Sequence, residues 1–421
     1  MSNENKDKQP MLANLVNAGR SQTHALPIND FIYMANDISN AYLINTGDGD
    51  VMVNTGFMAS AARNRTIFEP VRSGALRTIL LTQAHADHYG GVPAFRESST
   101  QIIAGSRFVE TWKFFHDLGP YLKSRSNRIW KSTIKGRDAE VPRVVPDIAV
   151  EDRYEFEVGK TRFEIIATPG GESPDSVVVW LPDEGIVFTG NLFGPVFRSM
   201  PNLCTLRGDK PRSARLWLEC LDKVRKLDAE MLITGHGNPV VGANTIRADL
   251  DTMHAAVAYV HDKTFEGMNA GKDVFTLMRE IQLPPDISID EYHGKVSWAV
   301  RTIWEEYSGW FHMDSTTSLY AVPRSSVNAD LVELAGGPDR IAERAAEKLA
   351  AGKPLQAMHL LDIALGVNAD NAFLLEVKKQ VLGQLLQASG GQNLSEVMWL
   401  KSELNGVDEA LGSAGPDKIR S

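Results

Sequence analysis

The sequence predicts an α/β sandwich over its first half and an all-helical region over its second. Three observations carry that expectation. Short β-rich runs alternate with helical stretches from Phe31 to about Gly242, the strand signal fades from about Asn244, and Gly337 to Leu411 is a series of helix-length segments broken by turn residues. Strands interleaved with helices bury a sheet under helical layers, whereas strands joined only by turns would suggest an all-β barrel.

Taken in order, residues 1–30 are expected to be a flexible lead-in. The strands expected next are Ala41–Asn45, Val51–Val53, Thr78–Leu81 and Gln101–Ala104, then Arg162–Ile166, Ser176–Trp180, Ile186–Phe188 and Met231–Ile233. All are short, rich in β-branched and apolar residues, and bounded by polar or Gly-containing turns. A helix is expected over Ser213 to Lys226, and helical periodicity runs through Met253 to Gly267 and Tyr292 to Tyr307. The final helices, each of ~12–18 residues, are punctuated by Gly352-Lys353-Pro354, Asn368-Ala369-Asp370-Asn371 and Gly390-Gly391. Small residues there (Ala345, Ala346, Ala350, Ala351) suggest tetratricopeptide-like hairpins. One or two such units bury little alone and need a partner surface. The expected organisation is a lead-in (1–30), a sandwich (31–243), a helical extension (244–325), a helical domain (326–411) and a tail (412–421).

Composition narrows the class. The chain has 421 residues, 43% hydrophobic and 23% charged, as for an ordinary globular protein with two or three domains. Its net charge of -9 and pI near 5.6 speak against a nucleic-acid surface. No run approaches the ~18 apolar residues that span a bilayer. Met1 to Gln9 is polar and lacks the apolar stretch of a signal peptide, so a cytoplasmic location is expected. Cys204 and Cys220 sit in no CxxC spacing and are expected to be ordinary thiols.

The most informative stretch is Leu81-Thr82-Gln83-Ala84-His85-Ala86-Asp87-His88-Tyr89-Gly90-Gly91, directly after the strand Thr78–Leu81. Two His and one Asp within four residues at a strand end make a poor core and a good cradle for zinc or iron. Three later segments have the same strand-end character. Thr168-Pro169-Gly170-Gly171-Glu172-Ser173-Pro174 is an ordered loop carrying an acid, Asn191 follows Phe188-Thr189-Gly190, and His236 follows Ile233-Thr234-Gly235.

Gln83 to His88 resembles the HxHxDH motif of the metallo-β-lactamase superfamily, with Gln83 in place of the first His. The acidic loop resembles the TPGTEAP-like loop of its alkylsulfatase branch, and Asn202-Leu203-Cys204-Thr205-Leu206-Arg207-Gly208 resembles that branch's HNLYTLRGA-like segment. The match continues through Arg212, Trp217, Gly309-Trp310-Phe311 and Leu334-Ala335-Gly336-Gly337 into a region similar to the branch's dimerisation domain. It covers most of residues 40–410, without the sterol-carrier-like C-terminal domain of long alkylsulfatases.

The resemblance implies an αββα sandwich, one or two zinc ions (or iron or manganese), and a homodimer. It assigns His85 and Glu172, with Gln83, to a first metal site, and Asp87, His88 and His236 to a second. The bridging acid falls on Asn191. Gln83 and Asn191 are neutral amides where the branch has imidazole and carboxylate, so a tight second site and a weak or empty first site are expected. Asn202 and Arg207 fall on sulfate-binding positions, and an Arg fork with an amide donor suits a tetrahedral oxyanion. The implied reaction is hydrolysis of a sulfate ester by metal-bound water or hydroxide, with Asp87 orienting the water. A thioesterase acting on acyl-CoA and a degenerate, non-catalytic member are the alternatives. Trp112, Phe114, Phe115, Tyr121 and Trp130 are read either as a wall for an apolar substrate tail or as core. His116, His254, His261, His293, His312 and His359 lack ligand spacing and are expected to be ordinary residues.

Overall fold

A computed structural model describes residues 11–136 and 138–413. The first ten residues of the expected lead-in and most of the expected tail lie outside the described residues. Two compact units divide between Tyr307 and Ser308.

The larger unit is built on two sheets. Seven strands form the first in sequential order: β1 (Leu26–Pro27), β2 (Ile32–Ala35), β3 (Ala41–Asn45), β4 (Asp50–Val53), β5 (Leu76–Leu81), β6 (Gln101–Gly105) and β7 (Ile148–Val150). Pairing is antiparallel from β1 to β4 and parallel from β4 to β7. The second sheet holds β8 (Arg153–Val158), β9 (Thr161–Ala167), β10 (Val177–Leu181), β11 (Ile186–Gly190), β12 (Met231–Thr234) and β13 (Val240–Val241). Here only β11 and β12 run parallel.

Side-chain alternation sorts each inner strand into two cores. Ile44, Val51, Val53 and Leu80 join Phe163, Ile165, Val179 and Phe188 in one core shared by both sheets. Their neighbours Leu43, Met52, Ile79 and Leu81 face the other way, onto Phe68, Tyr89 and Phe108 from helical segments. The outer face of the second sheet is covered by helix Ala214–Arg225 together with Ala243–Asn269 and Val296–Ser308. Strands covered on both faces read as unbroken apolar runs, which is why they were legible. The result is an αββα sandwich.

All eight expected strands are present. The strands not expected are β1, β2, β7, β8 and β13, most of them short or at a sheet edge. Residues 16–30 are not a loose lead-in: Val16 and Ala25 are buried and β1 pairs with β2. The helical extension, through Tyr307, packs within the larger unit, since Ile246, Leu250, Met253 and Val300 share a core with Trp217 and Leu232.

The smaller unit is helical, and its last four helices run Pro338–Ala350, Pro354–Leu365, Ala372–Ala388 and Leu394–Ser413. Their boundaries fall at the Gly/Pro and Asn-rich punctuation. Ala342, Ala345, Ala357 and Ala364 are fully buried, so small side chains let adjacent helices approach closely.

Candidate active site

The strand ends of β4, β5, β11 and β12 converge on one rim. β5 ends at Leu81, and the chain turns through Thr82–His85 into the short helix Ala86–Tyr89, which carries Asp87 and His88. β12 ends at Thr234 and presents His236 two residues later. One ligand atom each from Asp87, His88 and His236 lies within 4.8 Å of the others.

Both imidazoles are built to be neutral donors of a lone pair. Burial, aided by the nearby His85, lowers the pKa of His88 to about 3. Burial likewise lowers that of His236 to about 4. The Nε2 of His88 and both ring nitrogens of His236 are buried without a hydrogen-bond partner. Unpaired buried polar atoms are costly and rare, and a cation bound beside the Asp87 carboxylate would satisfy His88 Nε2 and one ring nitrogen of His236. The far side of His88 is anchored: Ser39 Oγ, Thr82 Oγ1 and Asn54 Nδ2 lie 3.2, 3.2 and 3.0 Å from Nδ1. Ser39 already donates to Gly235 O and Thr82 to Asn54 Oδ1. Both hydroxyls keep a lone pair for an Nδ1–H, whereas the Asn54 amide can only donate to an unprotonated Nδ1, so these contacts fix the orientation of the ring and leave its tautomer open to the ion that Nε2 faces. The donor set fits a divalent cation.

The other half of the rim does not. Gln83 Nε2 donates to His85 Nδ1 and, at 3.3 Å, to Glu172 Oε2, while Asn191 Nδ2 donates to the same carboxylate oxygen at 2.7 Å. The Gln83 amide cannot simply turn over, because its Oε1 accepts the backbone N–H of Asn191 at 3.2 Å. The atoms that would hold a first ion, His85 Nδ1 and Glu172 Oε2, are therefore engaged by N–H groups whose positive ends repel a cation. Asn191 Oδ1, by contrast, is buried without a partner. It lies against Gly235, where a Cβ would come within 2.4 Å of that oxygen and 3.1 Å of His88 Cε1. Glycine at this position lets Asn191 and His88 lie side by side. Gly91 has a similar role, since a Cβ there would meet Thr55 O at 2.3 Å.

Beside this rim is a cationic cradle. Arg212 Nη1 and His293 Nε2 lie 3.7 and 3.5 Å from Glu172 Oε1. Burial opposes ionisation of Glu172, but His293 and Arg212 outweigh it and hold the carboxyl well below the usual range. Asp209 Oδ2 sits 3.2 Å from Arg212 Nη2, 3.7 Å from Arg207 Nη2 and 3.7 Å from His85 Nε2. Asn202 is buried, with Nδ2 3.5 Å from His293 Nε2 and Oδ1 unpartnered. The Phe115 ring stands 5.1 Å from that of His85, so one aromatic of the Trp112–Tyr121 stretch reaches the site. Tyr121 is exposed, and Trp112 packs against the first-sheet core.

Every sequence-predicted site residue thus falls in one region of the larger unit. Sequence reasoning missed Asp209, Ser39 and Asn54, and passed over His293. His293 sits in a loop before the helix Val296–Ser308, with no motif around it, and only the packing of that helix onto the second sheet brings it to Glu172. Asp209 is two residues beyond Arg207, and its nearness to a recognised anion-binding position was the available signal.

Residues 35–236 match the family model described as the metallo-beta-lactamase superfamily, and residues 276–401 match the alkyl sulfatase dimerisation model. The chain is similar to a linear primary-alkylsulfatase of a Pseudomonas species, 27% identical over 88% of this chain and 75% of that one. It is 25% identical to the alkyl/aryl-sulfatase BDS1 of Saccharomyces cerevisiae, over 76% of this chain and 54% of the relative. Among solved structures, the inverting sec-alkylsulfatase Pisa1 from Pseudomonas superposes with a TM-score of 0.82 at 20% identity, covering 98% of this chain and 70% of that one. Sandwich and helical region agree with both models: the chain carries a metallo-β-lactamase domain followed by an alkyl sulfatase dimerisation domain, the arrangement for which it is similar to the alkylsulfatases.

Proposed function

We propose that this protein is a hydrolase with a single divalent ion, zinc, that cleaves the sulfate ester of an apolar alcohol. One observation carries the reading: two buried, neutral imidazoles with unsatisfied nitrogens meet Asp87 within 4.8 Å, next to a cradle of arginine and amide donors. Asp87, His88 and His236 would hold the ion, with Asn191 Oδ1 facing the same side. When bound, such an ion supplies positive charge and makes water a competent nucleophile near neutral pH.

This chain's own residues do the rest. Arg207, Arg212 and Asn202 donate to the ester's sulfonyl oxygens and hold the sulfur in position. Asp87, whose side chain keeps some exposure, accepts a hydrogen bond from the attacking water and orients it. Phe115 offers an apolar face to the alcohol. His85 and Glu172 remain bonded to the Gln83 and Asn191 amides, and so shape the pocket without binding metal. The helical unit mediates a homodimer. Its match to the dimerisation model and the exposure of Trp310, Met313, Tyr320 and Leu334, at 75, 86, 68 and 84%, support that role. Among the described residues no helix is long and apolar enough to cross a membrane, in keeping with the cytoplasmic location we assign.

The test is metal analysis of the purified protein paired with assays on alkyl sulfates and acyl-CoA thioesters. One ion per chain with sulfate release is the expected result. Thioester cleavage without sulfate release would replace the sulfatase reading with the thioesterase one.

A further inference from the structure

We propose that Asp209 is a specificity-determining residue, an internal anion that sets the arginine cradle against the doubly charged product. The inference rests on the sulfate-ester reading and deepens it. Both guanidinium groups available to a substrate anion are already shared: Arg212 lies 3.2 Å and Arg207 3.7 Å from the same Asp209 oxygen, Oδ2. The carboxylate is firmly ionised. Two guanidinium groups within 4 Å of Oδ2 hold its charge against burial. Its side chain is only 8% exposed, so bulk water does little to screen it. The neighbouring Lys210 does not offset it, because that ammonium lies 3.3 Å from Glu110 and over the Phe114 ring.

Charge counting gives the consequence. Arg207 and Arg212 bring two positive charges, and Glu172 and Asp209 bring two negative ones. A sulfate monoester carries one negative charge and free sulfate carries two. Repulsion from a fixed carboxylate scales with the charge of the bound anion, so Asp209 penalises product about twice as strongly, in free energy, as substrate. A cradle with two bare arginines would hold sulfate best of all and release it slowly. Asp209 lets the arginines orient a monoanion without trapping the dianion.

A purely structural role is separable from this one. Asparagine keeps an oxygen to accept from Arg212 and removes only the charge, while glutamate keeps the charge. The experiment titrates inorganic sulfate into the metal-loaded protein by calorimetry at constant ionic strength, for the unaltered chain, Asp209→Asn and Asp209→Glu, with melting temperatures measured alongside. Asp209→Asn is expected to bind sulfate about tenfold more tightly or better, with a smaller fall in KM for an alkyl sulfate, and Asp209→Glu to stay near the unaltered affinity. Unchanged or weaker sulfate binding by a stably folded Asp209→Asn, or equal tightening by Asp209→Glu, overturns the inference. If the unaltered chain cleaves no sulfate ester yet Asp209→Asn still gains sulfate affinity, the charge argument stands and the substrate reading falls.

Discussion

Replacing Gln83 with His should convert a one-ion protein toward a two-ion one, at a calculable cost in the absence of metal. Gln83 makes three hydrogen bonds: to His85 Nδ1, to Glu172 Oε2 and from the Asn191 backbone N–H. A neutral bond contributes about 1 kcal/mol and one to a charged group about 1.5–3 kcal/mol, so the set is worth about 4 kcal/mol. An imidazole at position 83 can donate to Glu172 but cannot make all three bonds, which leaves a deficit of about 2 kcal/mol. For a unit running from Gln9 to Tyr307 the melting temperature in chelator should therefore fall by about 3 °C. Saturating zinc should more than restore it, because a free ion concentration 100 times Kd contributes about 2.7 kcal/mol. Differential scanning calorimetry with and without chelator reads the first effect, and metal analysis after dialysis against zinc reads the second. Two equally tight ions in the unaltered protein, with neither quantity moved by Gln83→His, would refute the claim that amide donors stand in place of the first ion.

Arg207→Ala should slow cleavage of an alkyl sulfate by an amount equivalent to about 2 kcal/mol, and Arg207→Lys should recover little of it, because a point charge cannot reproduce the planar fork; steady-state kinetics on both variants decides. In metal-free protein, His88 and His236 stay neutral down to about pH 3 and 4, whereas in the unfolded chain they take protons near 6.5. The unfolded state therefore binds more protons between those limits, and denaturation midpoints should fall steadily as pH drops from about 6.5 toward 4; a flat profile in that window would contradict the burial argument. Trp217 is 1% exposed and donates from Nε1 to Leu192 O at 2.9 Å, directly after Asn191. Trp217→Ala should cost about 3–5 kcal/mol and lower metal affinity as well, and unchanged metal affinity would show that Asn191 is held independently. Light scattering at micromolar concentration should give the mass of a dimer, and Leu334→Glu with Trp310→Glu should shift it toward monomer.

Local sequence determined a great deal here. Strands covered on both faces must be apolar throughout, so β3 to β6 and β9 to β12 stood out, whereas β8 alternates between half-buried and exposed residues and did not. Helix boundaries in the smaller unit were written in Gly352, Pro354, Asn371 and the Gly390-Gly391 pair, because turn residues act within a few positions of themselves. The candidate strand-end ligands were legible for the same reason, since Asp87 and His88 share one turn. Only the tertiary structure decided which way the amides point. Gln83 and Asn191 are recognisable as substitutions from sequence, but their action as donors to His85 and Glu172 depends on a backbone N–H that fixes one oxygen. Tertiary structure likewise brought His293 to Glu172 and turned Asp209 into the cradle between Arg207 and Arg212. Those arrangements pair groups on separate segments or choose among rotamers of one loop, and neither leaves a periodic trace in the chain: hydrophobic burial sets the frame locally, while electrostatics over 3–4 Å is settled only once the frame has closed.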